Sequence, residues 1–386
     1  MKINFPDLNI YKHRLSRMHL PLPRFKKNRM AKVHNFSAGP SILPREVLEK
    51  AASAVLDFDN LKLSLLEISH RSKNFEAVME RARSLVKELM QLPDGYSVLF
   101  LQGGASLQFV MVAQNLLREG GKAAYIDTGT WASNAIKEAK IFGQVEVVAS
   151  SKADNYRYIP KGYTIPADAD YFHCTSNNTI YGTQIKEFPT SPIPMVCDMS
   201  SDIFSRRIDF SKFSLIYAGA QKNMGPAGTT LVVVKDEILG KTGRAIPAMM
   251  DYRTHISKDS MYNTPPVFAV YVSMLTMEWL VSNGGLEWIE NINRQKAELM
   301  YAEIDRNPLF YGTVAPEDRS WMNACFLLKD PALEPEFDKM WKEAGISGLR
   351  GHRSVGGYRA SMYNALPLES VQVLVEVMKE FERIKG

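Results

Sequence analysis

The sequence predicts an α/β fold with a mostly parallel sheet, and three observations lead to that prediction. Between about residues 45 and 285, short apolar runs alternate with segments of helical periodicity. Most of these runs are continuously apolar, which is typical of strands that helices cover on both faces. Beyond about residue 290 the pattern changes to long helices with few strands, which indicates a second, smaller α+β domain.

The individual elements follow in chain order. Proline favours the first turn of a helix, so Pro44-Arg45-Glu46 begins the first one, and Pro93-Asp94-Gly95 marks a turn. In the first part of the chain, helices are predicted at 45–58, 75–90 and 107–117, and strands at 97–101, 123–126, 145–149, 169–174, 195–197, 215–218 and 230–234. In the last part, helices are predicted at 288–307, 334–344 and 368–384, and a strand at 325–328.

The change of pattern also predicts the domain boundaries. A large domain is expected at 45–288. A small domain is expected to combine 30–44 with 289–386, because chain termini often pack near one another.

Positive charge is concentrated at the N-terminus. Residues 1–29 contain eight Lys and Arg and one acid, whereas the remaining chain contains 39 basic and 41 acidic residues. Three prolines argue against an amphipathic targeting helix in this segment. We expect residues 1–29 to be a disordered basic extension or sequence upstream of a true start at Met30. A non-catalytic binder of anions or nucleic acid acting through this segment is the alternative from a different functional class.

Composition excludes several other classes of protein. The three cysteines, Cys174, Cys197 and Cys325, lack the spacing of a zinc site or a disulfide framework. No apolar run reaches the 18 residues of a membrane span. We therefore expect a cytoplasmic protein with reduced thiols, no metal, no membrane contact and no nucleic-acid partner.

Three residues or turns carry the chemistry. Gly103-Gly104 lies between a predicted strand and a helix, where free N–H groups can hold an anion such as phosphate. Asp198 directly follows an apolar strand, and Lys222 lies among small residues between two strands. Each of these alone is compatible with an ordinary role, as a turn, a helix cap or a solvated loop lysine.

Their order along the chain favours a pyridoxal phosphate site. The helix N-terminus would take the phosphate, Asp198 would keep the pyridine nitrogen protonated, and Lys222 would hold the aldehyde. Burial would make the lysine amine nucleophilic by lowering its pKa. Trp131 could stack on the cofactor ring, and Thr179 could donate to the ring oxygen.

Several longer sequence stretches, in the same order along the chain, resemble those of a known family. On this basis residues 32–386 resemble the phosphoserine aminotransferase family, a branch of the class V, fold-type I pyridoxal phosphate enzymes. The stretches are 35–40, 67–71 (Glu-Ile-Ser-His-Arg), 217–228, 263–266, 351–357 and 363–365. The resemblance implies a large domain with a seven-stranded type of sheet and a homodimer with shared active sites. It also implies a transaminase that uses glutamate and 3-phosphohydroxypyruvate, with a phosphorylated hydroxythreonine of pyridoxine biosynthesis as a further candidate substrate.

The resemblance also implies a role for each site residue. Lys222 would form the Schiff base, Asp198 would pair with the ring nitrogen, Thr179 with the ring hydroxyl, and Trp131 would stack. The cofactor phosphate would be bound by Ala105, Ser106, Gln221 and, from the other subunit, Asn263 and Thr264. The acidic ends of the substrates would be bound by His70, Arg71, His352 and Arg353.

This chain departs from some family members at two places. It has Ala38 where some members have a second serine, and Ala105-Ser106 where some have Gly-Arg, which would remove one cationic contact to the substrate. The nearest enzymatic alternatives are another class V aminotransferase, of the alanine/serine–glyoxylate type, or a desulfurase. A desulfurase needs a mobile reactive cysteine, and Cys325 lies in a strand-like run.

Overall fold

The computed structural model describes residues 33–386. The predictions made for residues 1–29, and the first residues of the predicted small domain, lie outside this range. The α-helices are α1 (Arg45–Leu56), α2 (Lys73–Met90), α3 (Gly104–Leu116), α4 (Thr130–Ala139), α5 (Tyr252–Ile256), α6 (Val267–Ser282), α7 (Gly285–Arg306), α8 (Glu334–Glu343) and α9 (Leu368–Lys385).

The strands are gathered into one large sheet and three small ones. They are β1 (His34–Asn35), β2 (Tyr96–Leu101), β3 (Lys122–Asp127), β4 (Gln144–Ser150), β5 (Phe172–Thr175), β6 (Asn177–Asn178), β7 (Thr183–Gln184), β8 (Met195–Asp198), β9 (Leu215–Gly219), β10 (Thr230–Lys235), β11 (Phe310–Gly312), β12 (Asn323–Leu328), β13 (Ile346–Ser347) and β14 (Tyr358–Ser361). The large sheet has seven strands in the order β2-β10-β9-β8-β5-β3-β4. This confirms the predicted α/β fold with a mostly parallel sheet.

The direction of the strands decides where a site can form. β10 is antiparallel to both of its neighbours, β2 and β9, whereas β9, β8, β5, β3 and β4 pair in parallel. Six of the seven strands therefore point the same way, and their carboxyl ends meet at one edge of the sheet. In open α/β sheets ligands bind outside this edge.

Helix α2 shows how the local sequence sets an element. The Ser72 hydroxyl accepts a hydrogen bond from the Phe75 N–H at 3.4 Å and so caps the first turn. Apolar residues recur along one face, from Phe75 to Met90, and are buried. That face packs toward the large sheet and helix α6.

The apolar core of the described residues falls into three clusters. Two of them cover the two faces of the large sheet and draw on residues 47–289. The third combines Phe36 with residues 297–381, and it packs α7, α8 and α9 against the sheet of β11, β12 and β14. Residues His34–Gly386 form one compact unit. Across the described range, every helix is too short or too polar to cross a bilayer.

Candidate active site

Lys222 lies in the connection from β9 to β10, at the carboxyl edge of the sheet. The Ser41 hydroxyl donates to the Lys222 carbonyl, which ties this loop to the segment before α1. The Lys222 Nζ donates to the Thr179 Oγ1 at 2.8 Å and lies 5.6 Å from the centre of the Trp131 ring. The structure thus brings together three residues that the sequence predicted for one site.

Burial gives this lysine an unusual proton affinity. Desolvation lowers the pKa of Lys222 to about 8; the negative charge of Asp198 opposes this shift and the positive charge of Arg359 adds to it. The neutral amine, which is the nucleophilic form, is therefore accessible close to neutral pH.

Asp198 is the last residue of β8 and is buried. The Ser200 N–H and hydroxyl both donate to its Oδ1, at 2.9 and 2.6 Å. The Ser200 hydroxyl oxygen in turn accepts the Gly219 N–H at 3.1 Å. Burial raises the pKa of Asp198, while Ser200 and the charge of Lys222 lower it. Within residues 33–386 no hydrogen bond reaches the other carboxylate oxygen, Oδ2. This oxygen can therefore accept a hydrogen bond from a protonated ring nitrogen.

The glycine turn after β2 has the geometry of an anion cradle. Gly103 and Gly104 have φ values of 89° and 65°, which L side chains rarely adopt, and a Cβ on Gly103 would overlap Leu107. α3 therefore starts at Gly104, three residues earlier than predicted, and its first turn contains Ala105 and the exposed Ser106. First-turn N–H groups have no intrahelical partner and favour a bound anion.

Gln221 borders the same edge of the sheet. Its backbone carbonyl accepts the Ser41 N–H at 3.0 Å, and its side chain lies against Gly219. The side-chain amide is therefore beside the end of β9, adjacent to Lys222.

Arg359, on β14, is a site residue that the sequence reasoning missed. Its Nη1 donates to the Thr179 carbonyl at 3.3 Å, and its buried Nε has no partner in the described chain. Its charge lowers the pKa of Lys222. A guanidinium with unused donors beside the reactive amine is suited to bind a carboxylate in two-pronged fashion. An arginine inside the short strand-like run 358–362 was the available signal.

The predicted substrate cations lie in two loops. His70 and Arg71 lie in the segment between α1 and α2, and the buried His70 Nε2 has no hydrogen-bond partner in residues 33–386. His352 and Arg353 are exposed in a tight loop, 351–357, closed by the bond from the Gly351 N–H to the Gly357 carbonyl at 2.8 Å. One small cavity is lined by both this loop and Arg359.

Direct hydrogen bonds or ion pairs do not connect all of the predicted site residues within the described part of the chain. No hydrogen bond or ion pair among residues 33–386 connects His70 or Arg71 with the other predicted residues. Asn263 and Thr264 are exposed, and the Thr264 carbonyl accepts the Gln102 side-chain amide at 3.0 Å, beside the glycine turn.

Cys325 does not have the environment of a catalytic thiol. It lies on β12 and is buried, and burial raises its pKa to about 12. A thiol that holds its proton this firmly is a poor nucleophile. This disfavours the desulfurase alternative.

The chemistry of these groups fits the cofactor that the sequence predicts. Lys222 offers a nucleophilic amine, Asp198 a buried carboxylate oxygen, and Thr179 a hydroxyl, while the position of a Cβ on Gly104 is open space. The Trp131 Nε1 is buried without a partner in the described chain, so this donor is free for a further hydrogen bond.

Comparisons with known proteins show the family of the chain. The model of the family "Aminotransferase class-V" matches residues 33–374. The chain is 69% identical over 352 residues to the phosphoserine aminotransferase of Flavobacterium johnsoniae, which covers 91% of this chain and 99% of the relative.

Two solved structures are similar throughout. The phosphoserine aminotransferase of Bacillus circulans subsp. alkalophilus superimposes with a TM-score of 0.89 at 46% identity, covering 92% of this chain and 99% of that one. The pyridoxal phosphate-bound phosphoserine aminotransferase of Trichomonas vaginalis gives a TM-score of 0.86 at 37% identity, covering 90% and 100%.

Proposed function

The chain belongs to the class V aminotransferase family, and from this membership we propose that it transfers the amino group of glutamate to 3-phosphohydroxypyruvate in serine biosynthesis. The products are 2-oxoglutarate and phosphoserine, and the cofactor is pyridoxal 5'-phosphate. The observation that carries the proposal is the buried Lys222 amine, which lies 2.8 Å from Thr179 Oγ1 while Arg359 donates to the carbonyl of the same threonine.

Each cofactor contact has a candidate residue on this chain. When bound, pyridoxal phosphate supplies an aldehyde that takes up the amino group and a ring that withdraws electrons. Lys222 would hold the aldehyde, and Asp198 Oδ2 would hold the proton of the ring nitrogen. Thr179 would donate to the ring oxygen and Trp131 would cover one ring face.

The cofactor phosphate needs several donors. The first turn of α3, with Ala105 and Ser106, and the side chain of Gln221 would bind it. These donors would be uncharged, which would leave the cationic residues of the site for the substrates.

Arg359 and Lys222 would act on the substrate itself. The guanidinium would bind the α-carboxylate, which orients the Cα hydrogen toward the amine. Lys222 Nζ, once free, would take that proton from Cα as a general base. As a general acid it would then deliver the proton to the carbon of the cofactor that accepts it. Its pKa of about 8 suits both directions of proton transfer, because general acid–base catalysis is most efficient when the pKa of the catalytic group lies near the working pH.

The other basic residues of the site would bind the end of the substrate that is distant from its α-carboxylate. 3-Phosphohydroxypyruvate ends in a phosphate and glutamate in a carboxylate, so the same pocket must bind a dianion and a monoanion. His70, Arg71, His352 and Arg353 supply this charge. Arg71 and Arg353 form no ion pair within the described residues, so their charge is available to a ligand.

A first prediction tests substrate choice. Wild-type enzyme should aminate 3-phosphohydroxypyruvate at least about 10²-fold more efficiently than pyruvate or glyoxylate, because the unphosphorylated acids leave the cations without an anion. Arg353→Leu should lower kcat/KM for the phosphorylated acid about 10- to 100-fold and leave the pyruvate rate nearly unchanged. A coupled assay of glutamate-dependent amination measures both values.

The control is Lys329→Leu, which removes an exposed cation after β12. It should leave all rates unchanged. Equal efficiencies on phosphorylated and unphosphorylated acids would contradict the substrate proposal. A phosphorylated four-carbon 2-oxo acid that carries a 3-hydroxyl group, used as a further acceptor in the same assay, tests the pyridoxine-pathway substrate.

We further propose that the enzyme is a homodimer whose sites are shared. Leu56 and Leu66, in the segment that leads to His70, are 83% and 57% exposed, and Leu61 and Leu63 between them are also exposed. Such an apolar surface is typical of association. Asn263 and Thr264, exposed on one chain, would then reach the cofactor phosphate of the other.

A second prediction tests this sharing by complementation. Lys222→Ala lacks the amine, and the double variant Asn263→Ala/Thr264→Ala binds the cofactor weakly. A refolded equimolar mixture, at limiting cofactor, should recover roughly a quarter of wild-type activity, because half of the dimers are mixed and each has one complete site. Sites completed within one chain would give no gain on mixing, and light scattering would separately report the dimer.

The domain division and the location of the protein are also proposals. The hydrophobic cluster that joins Phe36 with residues 297–381 supports a small domain made of 30–44 and 289–386, beside a large domain at 45–288. The three free, buried cysteines support a reducing cytoplasm.

A further inference from the structure

Lys296 of α7 is a buried lysine that the reaction described above does not use. It is 0% exposed, and its Nζ donates to the carbonyls of Met362, Tyr363 and Leu366 at 3.0, 2.8 and 3.1 Å. No carboxylate in residues 33–386 lies within ion-pair distance of it. Burial lowers its pKa to about 7. The three carbonyls match the three N–H donors of the protonated amine, and these hydrogen bonds tie residues 362–366 to α7.

The segment that Lys296 holds, residues 362–366, joins two parts of the active site. It directly follows β14, which carries Arg359. The Tyr363 hydroxyl donates to the Ala38 carbonyl at 2.8 Å. The Asn364 N–H donates at 2.9 Å to the Oδ1 of Asn223, the neighbour of Lys222.

A second residue of α7 reinforces the same connection. Asn293, one helical turn before Lys296, is fully buried, and its Nδ2 donates to the Asn364 Oδ1 and to the Ser205 carbonyl, both at 2.9 Å. The Asn364 amide also donates to the Phe204 carbonyl at 2.8 Å. One face of α7 therefore binds both the segment after Arg359 and the loop after Asp198.

We propose that Lys296 is a positioning residue for transamination: the hydrogen bonds of its Nζ fix residues 362–366 and thereby set the Arg359 guanidinium at its working distance from Lys222. The proposal rests on the carboxylate-binding role of Arg359 given above. Displacement of a substrate anchor by about 1 Å can cost about 10²-fold in rate, so a device that fixes this distance acts on substrate binding and catalysis alike.

The test measures binding of a ligand that cannot react. Glutarate has the two carboxylates of glutamate without the amino group, and calorimetry of the cofactor-loaded enzyme gives its Kd without turnover. Lys296→Met should raise this Kd about 10-fold or more, with a parallel rise in the KM for glutamate. Lys296→Gln, which keeps two N–H donors, should fall between wild type and Lys296→Met, and it carries the test if Lys296→Met does not fold.

Met300→Ala is the matched control. Met300 lies one turn further along α7, is fully buried, and belongs to the apolar cluster without contacting 362–366 through hydrogen bonds. It should lower the melting temperature but leave the glutarate Kd unchanged. If Lys296→Met and Met300→Ala both lose stability and both keep the wild-type Kd, Lys296 is only structural and the proposal is overturned.

Arg359→Leu separates this inference from its premise. This substitution should raise the Kd of glutarate about 10²-fold if Arg359 binds a carboxylate. A normal Kd in Arg359→Leu would overturn the role of Arg359 and the positioning role together. A weakened Kd there, with a normal Kd in both Lys296 variants, would overturn the positioning role alone.

Discussion

Lys222→Ala is expected to lower turnover by more than about 10⁴-fold and to abolish the visible absorbance of the imine between the lysine and the cofactor. The amine is proposed to hold the cofactor aldehyde and also to move the substrate Cα proton, so one truncation removes both functions. The amine is already placed for this work, because it lies 2.8 Å from the Thr179 Oγ1 and its pKa is lowered to about 8. A coupled assay and an absorption spectrum measure the two effects.

The matched control for this variant is Lys212→Ala, which removes an exposed lysine outside the site. It should keep both the spectrum and the rate. The circular dichroism of Lys222→Ala should match that of wild type, because the Ser41 contact to residue 222 is made through the backbone carbonyl and survives the substitution. A Lys222→Ala enzyme that still cycles normally would show that another amine does the chemistry.

Asp198→Asn is expected to lower kcat about 10²- to 10³-fold and to weaken cofactor retention. Asparagine has nearly the shape of aspartate and can keep the two bonds from Ser200 to Oδ1, so the substitution removes mainly the charge. Without a carboxylate at Oδ2 the ring nitrogen loses the group that keeps it protonated. Steady-state kinetics and cofactor release during dialysis give the two measurements.

Asp127→Asn is the control for a strand-end carboxylate. Asp127 ends β3 as Asp198 ends β8, but its two oxygens accept hydrogen bonds from Ser133 at 2.7 Å and Tyr156 at 3.4 Å. It should change stability more than rate. If Asp198→Asn keeps wild-type kcat, or if both variants lose the same activity, the ring-nitrogen role of Asp198 is wrong.

The elements that could be predicted are those whose cause is local. The apolar stripe of α2 could be predicted because a helix repeats every 3.6 residues. The buried strands could be predicted because each is a short, continuous apolar run. Helix α6 is apolar around most of its circumference because it packs against α1, α2 and α7, so no amphipathic pattern delimits it. The start of α3 also escaped prediction, because it depends on the positive φ angles of Gly103 and Gly104.

The candidate site divides in the same way. Lys222, Asp198 and the glycine turn were predictable because each is an unusual residue at the end of an apolar strand, and parallel strands end at one edge of the sheet. Arg359 was missed because it lies on a short strand between the stretches 351–357 and 363–365, and no local pattern shows that its side chain reaches Thr179. It reaches Thr179 from 180 positions away, carried on a strand of a different sheet.

By itself, then, the sequence determined the α/β class and the family, and it predicted a reactive lysine, a partner aspartate and an anion-binding turn. The tertiary structure alone decided that Arg359 lies beside Lys222 and that Lys296 holds the connection between them. The physical reason is that local periodicity and turn chemistry act over a few residues. The approach of two charged groups from distant segments depends instead on how whole domains pack, on which hydrogen bonds that packing leaves unused, and on how far it removes each group from water.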